Sequence, residues 1–286
     1  MVTEQTPTVR RRRLGESLRE LRVQAGLRVE DAALRLQCHK AKISRIETGR
    51  SGVRTRDVRE LLDLYGVLDP DTRLVLEAHA RAGAQRGWWQ DYGDAIPPPY
   101  ADYIGLEAAA TYIRVWQQSL VPGLLQTEDY TRAVHSALPA ATTAPSKLET
   151  FLKVRAERQN ILRLTPDVRF SAILWEPVIR TPVGGSDVMR KQLLHLLAAA
   201  ERPNLTVQIL PQREGANAGM SGAFVILGYP LPPDPDVVFL ENLTSTLYVE
   251  QQHQTDHYTL VYDELRSSAL SPEDSATVIR EAVSEV

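Results

Sequence analysis

The chain has 286 residues, enough for two domains with separate cores, and its hydrophobic (43%) and charged (24%) fractions are those of an ordinary soluble protein. A net charge of -3 excludes a chain that binds nucleic acid by bulk charge. The charge is uneven, however: residues 1–60 carry 15 Lys+Arg against 8 Asp+Glu, and the remainder 18 against 28. A basic head on an acidic body points the head at phosphate and leaves the body free for another task. One cysteine, Cys38, permits no disulfide within the chain and fits a reducing cytoplasm. No apolar run approaches the ~20 residues of a membrane span. Arg10–Arg13 are followed by no apolar core, so they do not read as a secretory signal.

Residues 1–9 are polar and read as disordered, and 1–13 as a basic arm. Arg10, Arg11, Arg12 and Arg13 would either enter a minor groove or act as a solvated tail that adds counterion release. Leu14, Leu18, Leu21 and Ala25 give a first helix its buried stripe, and Gly26 suits a left-handed cap. From Leu27 to Gly49 the sequence reads LRVEDAALRLQCHKAKISRIETG. Offsets of three and four place Ala32, Ala33 and Leu36 on one face of a short helix, and Ile43 and Ile46 on one face of the next. Ala33 is small enough for the two axes to cross closely, as a helix-turn-helix needs. Lys40, Lys42, Ser44, Arg45 and Arg50 are then left outside as donors, while phosphates and guanine edges are acceptors. A fourth helix over about Thr55–Tyr65 buries Val58, Leu61 and Leu62 and ends at Gly66. Asp69-Pro70-Asp71 opens a fifth that runs to about Ala82.

The spacing of these residues, and KISRIETG above all, resembles the helix-turn-helix of the phage-repressor and xenobiotic-response-element family of bacterial regulators. The resemblance implies a five-helix DNA-binding domain over 14–83. Three positions depart from the family pattern. Gln37 stands where the turn is normally Gly, which asks for a left-handed residue at a cost of about 1 kcal/mol. Val29 replaces a Gln that touches the backbone, and His39 replaces a Ser or Thr cap.

Residues 84–99 read as a linker containing Pro97-Pro98-Pro99, with Trp88 and Trp89 expected to pack on the second domain. From 100 to 286 an α+β domain is expected, with helices first and last and a mostly antiparallel sheet of about five strands. Its first helix is expected to reach Gln118, with Ile104, Ala108, Tyr112 and Val115 in phase. Thr127 caps the next helix, and another runs from Ser146 to about Leu164. Strands are predicted at Val168–Trp175, Leu205–Leu210, Ala223–Leu227, Val237–Leu240 and Thr246–Glu250. Ser186–Ala200 and Thr255–Ser268 read as helices, the first capped by Ser186. Ser271-Pro272-Glu273-Asp274 is a strong start for a last one. The runs VPGLLQTEDYTRAV, RAERQNIL, QLLHLL and ILP, then a Gly-rich loop and AFVIL, resemble the C-terminal domain behind such helix-turn-helix modules in many actinobacterial regulators. That resemblance implies a transcriptional regulator, antitoxin-like and paired with a small partner protein.

No catalytic constellation is found. Gly219-Met220-Ser221-Gly222 has the wrong spacing for a nucleophile elbow. His253 and His257 share a helix face, but Gln254 stands where a zinc protease needs a glutamate, so a solvated helix start is the better reading. Gly215, Gly219 and Gly222 precede a strand rather than a helix and read as a flexible hairpin loop. The aromatic group around Trp88, Trp89, Tyr112, Trp116 and Tyr130, with Arg114 among them, reads either as a ligand or partner surface or as ordinary core. Arg114 would pair with an anionic ligand or with a local carboxylate.

The expectation is therefore a cytoplasmic, non-enzymatic, sequence-specific regulator of transcription without cofactor, metal or membrane contact, whose partner is double-stranded DNA and which acts as a homodimer. Lys40, Ala41 and Lys42 are expected at base edges. Ser44, Arg45, Arg28 and Arg50 are expected on phosphates, and His39 on either. The alternatives are an antitoxin-like protein that sequesters a small partner and autoregulates, and a sensor of a small-molecule effector.

Overall fold

The computed structural model describes residues 9–84, 87–137, 145–165, 167–229, 236–243 and 245–286. The described residues fall into two compact units. The first holds the chain to Gly93 together with Pro97–Leu106. The second holds Asp94–Ile96 and the chain from Glu107 onward. By contact, Pro97–Leu106 thus groups with the first unit.

The first unit is helical. Its elements are α1 (Val9–Gln24), α2 (Val29–Arg35), α3 (Lys40–Glu47), α4 (Thr55–Leu64), α5 (Pro70–Ala84) and α6 (Pro98–Glu107, its last residue counted with the second unit), with a 3-10 stretch at Trp88–Ala95. Leu18, Ala32, Ala33, Ile43, Ile46, Val58, Leu61 and Leu62 form one core. Burying a branched side chain of this size is worth roughly 1.5–3 kcal/mol, so the apolar stripes fix how the short helices α2 and α3 are held. Gly26, Gly49 and Gly66 take positive φ at three helix ends, and Gln37 does so at 49° in the α2–α3 turn. Asp69 caps α5: its carboxylate accepts from the Thr72 amide at 2.9 Å. Residues 9–13, expected to be an irregular arm, are instead the first turn of α1, with Arg11, Arg12 and Arg13 half-buried. Arg11 Nε and Arg13 Nη2 are themselves out of contact with solvent, which counting charges does not reveal. Residues 1–8 and the side chain of Arg10 lie outside the described residues. Trp88 and Trp89 group with the first unit: Trp88 meets Trp89 and Tyr92 edge-on, and the Trp89 ring lies over Gly105, within the 100–286 stretch on which the indoles were expected to pack.

The second unit is built on a six-stranded mixed sheet: β1 (Tyr112–Gln117), β2 (Arg169–Trp175), β3 (Leu205–Leu210), β4 (Phe224–Gly228), β5 (Val237–Glu241) and β6 (Thr246–Val249), in the order β3-β2-β1-β4-β5-β6. Three ladders are antiparallel, but β1–β2 and β2–β3 are parallel. The parallel pairs need long crossovers. α7 (Glu128–Ala137) and α8 (Pro145–Leu164) lie in the first; α9 (Pro177–Arg180) and α10 (Ser186–Ala200) lie in the second. The helix expected to reach Gln118 is corrected: α6 stops at Glu107, and Tyr112–Gln117 is the strand β1, inside the sheet. Tyr112, Ile113, Val115 and Trp116 are β-formers, and pairing on both edges overrides the helix-like phase of 104, 108, 112 and 115. α11 (Gln252–Ser268) covers one sheet face, where Tyr262 and Leu265 pack with Trp116, Ile173, Ile226 and Val238. α12 (Pro272–Glu285) follows, and its cap Ser271 accepts from the Asp274 amide at 3.0 Å. Ser275 then accepts from the Ile209 amide at 2.9 Å, and Leu270 donates to the Ile209 carbonyl, so the outer edge of β3 is closed. The cap of α10 is Gly185, and Ser186 is its first helical residue.

Candidate nucleic-acid interface

The second helix of the pair, α3, is eight residues long, and three of its residues face inward: Ile43, Ile46 and Glu47. The inward glutamate is held by a buried partner. Arg22 of α1 donates from Nε and Nη2 to the two Glu47 oxygens at 2.6 and 2.8 Å, and from Nη1 to the Leu27 carbonyl at 2.8 Å. The hydrogen bond to Glu47 holds the Arg22 pKa above its ordinary value against desolvation. Burial pushes the neighbouring Tyr65 hydroxyl up as well, and the Glu47 charge adds to the shift. Breaking such a pair from one side costs about 3–5 kcal/mol, because it strands a buried charge. The clamp ties the end of α3 to α1, with α1 close by. A Cβ on Gly15 would lie 2.4 Å from the Ile46 carbonyl oxygen, and one on Gly49 would lie 2.8 Å from the Arg12 backbone.

With its inner side fixed, α3 leaves Lys40, Ala41, Ser44 and Arg45 exposed, and Lys42 half-buried. His39 is the exposed N-cap of α3 and makes no side-chain cap hydrogen bond. Arg28 precedes α2; its amide donates to Asp31 at 2.7 Å while its side chain is exposed. Arg50 is exposed just beyond the end of α3. The structure therefore collects His39, Lys40, Ala41, Lys42, Ser44 and Arg45 on one short helix and its cap, with Arg28 and Arg50 at neighbouring helix ends. Arg11, Arg12 and Arg13 are on α1, not on an arm.

The two lysines differ. Lys40 lies 3.5 Å from Glu30, and both side chains are mostly exposed. Such a pair is worth about 0–1 kcal/mol, less than the roughly 1–3 kcal/mol of a good base-edge contact, so Lys40 is free to change partner. Lys42 lies 3.4 Å from Asp57, in the first turn of α4, and Asp57 is largely covered. That carboxylate competes with any base acceptor. Sequence reasoning missed both Asp57 and Arg54, the exposed N-cap of α4. A cation immediately ahead of a helix start was the available signal for Arg54. Nothing local announced Asp57, which is fifteen residues from Lys42.

The aromatic group divides between the units. Trp88 and Trp89 are in the first; Tyr112, Arg114, Trp116 and Tyr130 are in the second. Trp116 and Tyr130 are core side chains rather than a ligand surface. Both are fully buried; Trp116 Nε1 donates to the Gly219 carbonyl at 2.9 Å, and the Tyr130 hydroxyl accepts from the Val121 amide at 3.3 Å. The glycine-rich loop expected to be flexible is held by that Trp116 bond and by Asn217, whose Oδ1 accepts from the Gly219 amide at 3.0 Å. His253 and His257 lie exposed on the first turns of α11. Among the described residues no helix is long and apolar enough to cross a membrane.

Residues 100–281 match the family model described as a domain of unknown function, DUF5753, and residues 13–76 match one described as a helix-turn-helix domain. No curated protein and no solved structure matches the chain.

Proposed function

For a chain that belongs to the DUF5753 family and carries a helix-turn-helix domain ahead of it, we propose a sequence-specific DNA-binding regulator of transcription. In this reading α3 lies in the major groove. The observation that carries it is the outward set on α3, four exposed residues with a cation at each end, on a helix whose inner side is clamped by Arg22–Glu47. Lys40, Ala41 and Lys42 read base edges, with His39 at the helix start. Ser44, Arg45, Arg28 and Arg50 hold phosphates. The protein is a non-enzymatic, cytoplasmic member of the xenobiotic-response-element type and acts as a homodimer. Its second unit regulates the first.

Titration of duplex binding at two salt concentrations tests the roles. Arg45→Ala weakens binding to every sequence and reduces the salt slope by about one. Lys42→Ala relaxes preference at one base pair. Equal losses in the two variants, with no change in preference, contradict the assignment. An antitoxin-like role, with a small partner protein held by the second unit, remains the second reading. It rests on the sequence resemblance of that unit, and co-purification of such a partner would favour it.

A further inference from the structure

Both lysines of α3 lie near a carboxylate, but water treats the two carboxylates differently. Glu30, facing Lys40, is 61% exposed, so solvent and salt screen it. Asp57, facing Lys42, is 18% exposed, and a charge so covered is screened much less. Asp57 stands in the first turn of α4, where the helix dipole favours an acid. From there it reaches back across fifteen residues to the lysine, at 3.4 Å. Among the described residues Lys42 is the one cation paired with Asp57. The arginines that follow on α4 use other acids: Arg56 is 3.1 Å from Glu60, and Arg59 is 2.8 Å from Glu77. Asp57 is therefore committed to α3 and not to its own helix.

A lysine left to itself on a DNA-reading surface is indiscriminate. Its ammonium is a point charge with three rotatable donors on a flexible stem, and a phosphate of any sequence satisfies it. Resting on the reading of α3 as the helix in the major groove, we propose that Asp57 is the positioning residue for base readout: it aims Lys42 at a guanine and keeps it off phosphate. The ammonium holds Asp57 with one donor and keeps two, enough for the O6 and N7 acceptors of guanine. Those acceptors are neutral and tolerate a carboxylate beside them. A phosphate is an anion and is repelled by the covered charge of Asp57. The lysine and its acid are close to neutral as a unit, so the pair adds little to counterion release and leaves indiscriminate attraction to Arg28, Arg45 and Arg50. The contact the pair refuses contributes to specificity as much as the one it makes.

Binding of the full chain to a duplex selected from a random pool, and to the same duplex with its order scrambled, tests this when both are titrated at several salt concentrations. Asp57→Asn keeps the shape of the side chain and removes its charge. It is expected to tighten binding to the scrambled duplex by about threefold or more and to steepen the salt slope by about one. It should also cut the ratio of selected to scrambled affinity by about tenfold. Loss of a merely structural acid would weaken binding to both duplexes alike and leave that ratio unchanged. In a Lys42→Ala background the ratio should no longer respond to Asp57→Asn, since nothing is left to aim. Lys42→Ala by itself should lose preference at a guanine, a readout that does not depend on how Asp57→Asn folds. Three results would overturn the proposal alone: an unchanged ratio in Asp57→Asn, an equal fall in the ratio with and without Lys42, or loss of preference at different base pairs in the two variants. Failure of the unaltered chain to bind any duplex at low salt would instead remove the reading of α3, and this role with it.

Discussion

Asp102, on α6, carries a carboxyl whose environment opposes its charge. Burial is the main cause and raises its pKa from 3.8 to about 6, although Arg12 and Arg11 pull it down. The folded chain therefore holds a proton that the unfolded chain releases near pH 4. Stability from this group is fully present below the unfolded value and is lost as pH rises through about 6. Asp102→Asn should raise the melting temperature by a few degrees above about pH 7 and leave it nearly unchanged near pH 4. Melting curves across that range check this, and parallel curves for the two proteins would contradict it. The Arg22–Glu47 pair is the opposite case, in which each buried charge is answered by two hydrogen bonds at short range. The same burial is tolerated in one place and resisted in the other because only one has a partner in register.

Among the elements, α1 and α3 are coupled through glycine as much as through charge. Gly15 lets the α1 backbone approach the Ile46 and Glu47 carbonyls so closely that a methyl group would meet main-chain atoms at 2.4 and 2.7 Å. A main chain cannot turn aside as a side chain can. Gly15→Ala should therefore cost about 1–3 kcal/mol, the penalty of overpacking, despite alanine's better helix propensity. It should also shift α3 and so weaken operator binding. Denaturant unfolding of the variant measures the cost; a stability equal to or above that of the unaltered chain would mean that α1 and α3 are not in contact there. Gly49 closes the same contact from the other side, with positive φ against the Arg12 backbone. In the second unit, β1 has the comparable central place, since it joins the parallel and antiparallel halves of the sheet.

On the scale of the whole molecule, charge separates the tasks. Residues 1–60 carry a net +7 and the remainder a net -10. Repulsion of the acidic part from phosphate means that DNA affinity must come from a small cationic surface, and so falls steeply with salt. In the proposed role, an eight-residue helix such as α3 would read only a few base pairs, and a two-fold pair of them would read two half-sites about 34 Å apart. Footprinting of a duplex selected from a random pool should show two protected half-sites one helical turn apart, or a multiple of it, with two chains bound. A single protected half-site with one chain bound would rule out the dimer.

How much of this could be read without coordinates follows from the range of the interactions. The helix-turn-helix was legible because its signals are local: Ala33, Ile43 and Ile46 at helical offsets, glycine at three helix ends, and Gln37 in a turn that holds it at positive φ. Strands β2 to β6 were legible for the same reason, from short runs of β-formers between turns. β1 was not, because its β-formers Tyr112 and Val115 stand in phase with a helical stripe from Ile104, and only partners far along the chain decide between the two. Parallel pairing across the α7–α8 and α9–α10 crossovers also leaves no local mark. The arm expected over 1–13 was misread at 9–13 for a related reason: four consecutive arginines carry no apolar stripe to announce the first turn of α1. The surroundings of Arg114 belong to the same class: its Nη2 is 3.7 Å from Asp236 Oδ2, and its guanidinium lies 5.9 Å from the centre of the Tyr262 ring. Ser171, Asp236 and Tyr262 come from three distant segments, and only the register of the sheet and the seating of α11 bring them to one arginine. The residues along the chain determined which side of α3 is turned outward, because a helix shows its face in its own sequence. Tertiary structure alone decided what faces Arg114, because each contact there joins residues that folding, and not sequence proximity, makes neighbours.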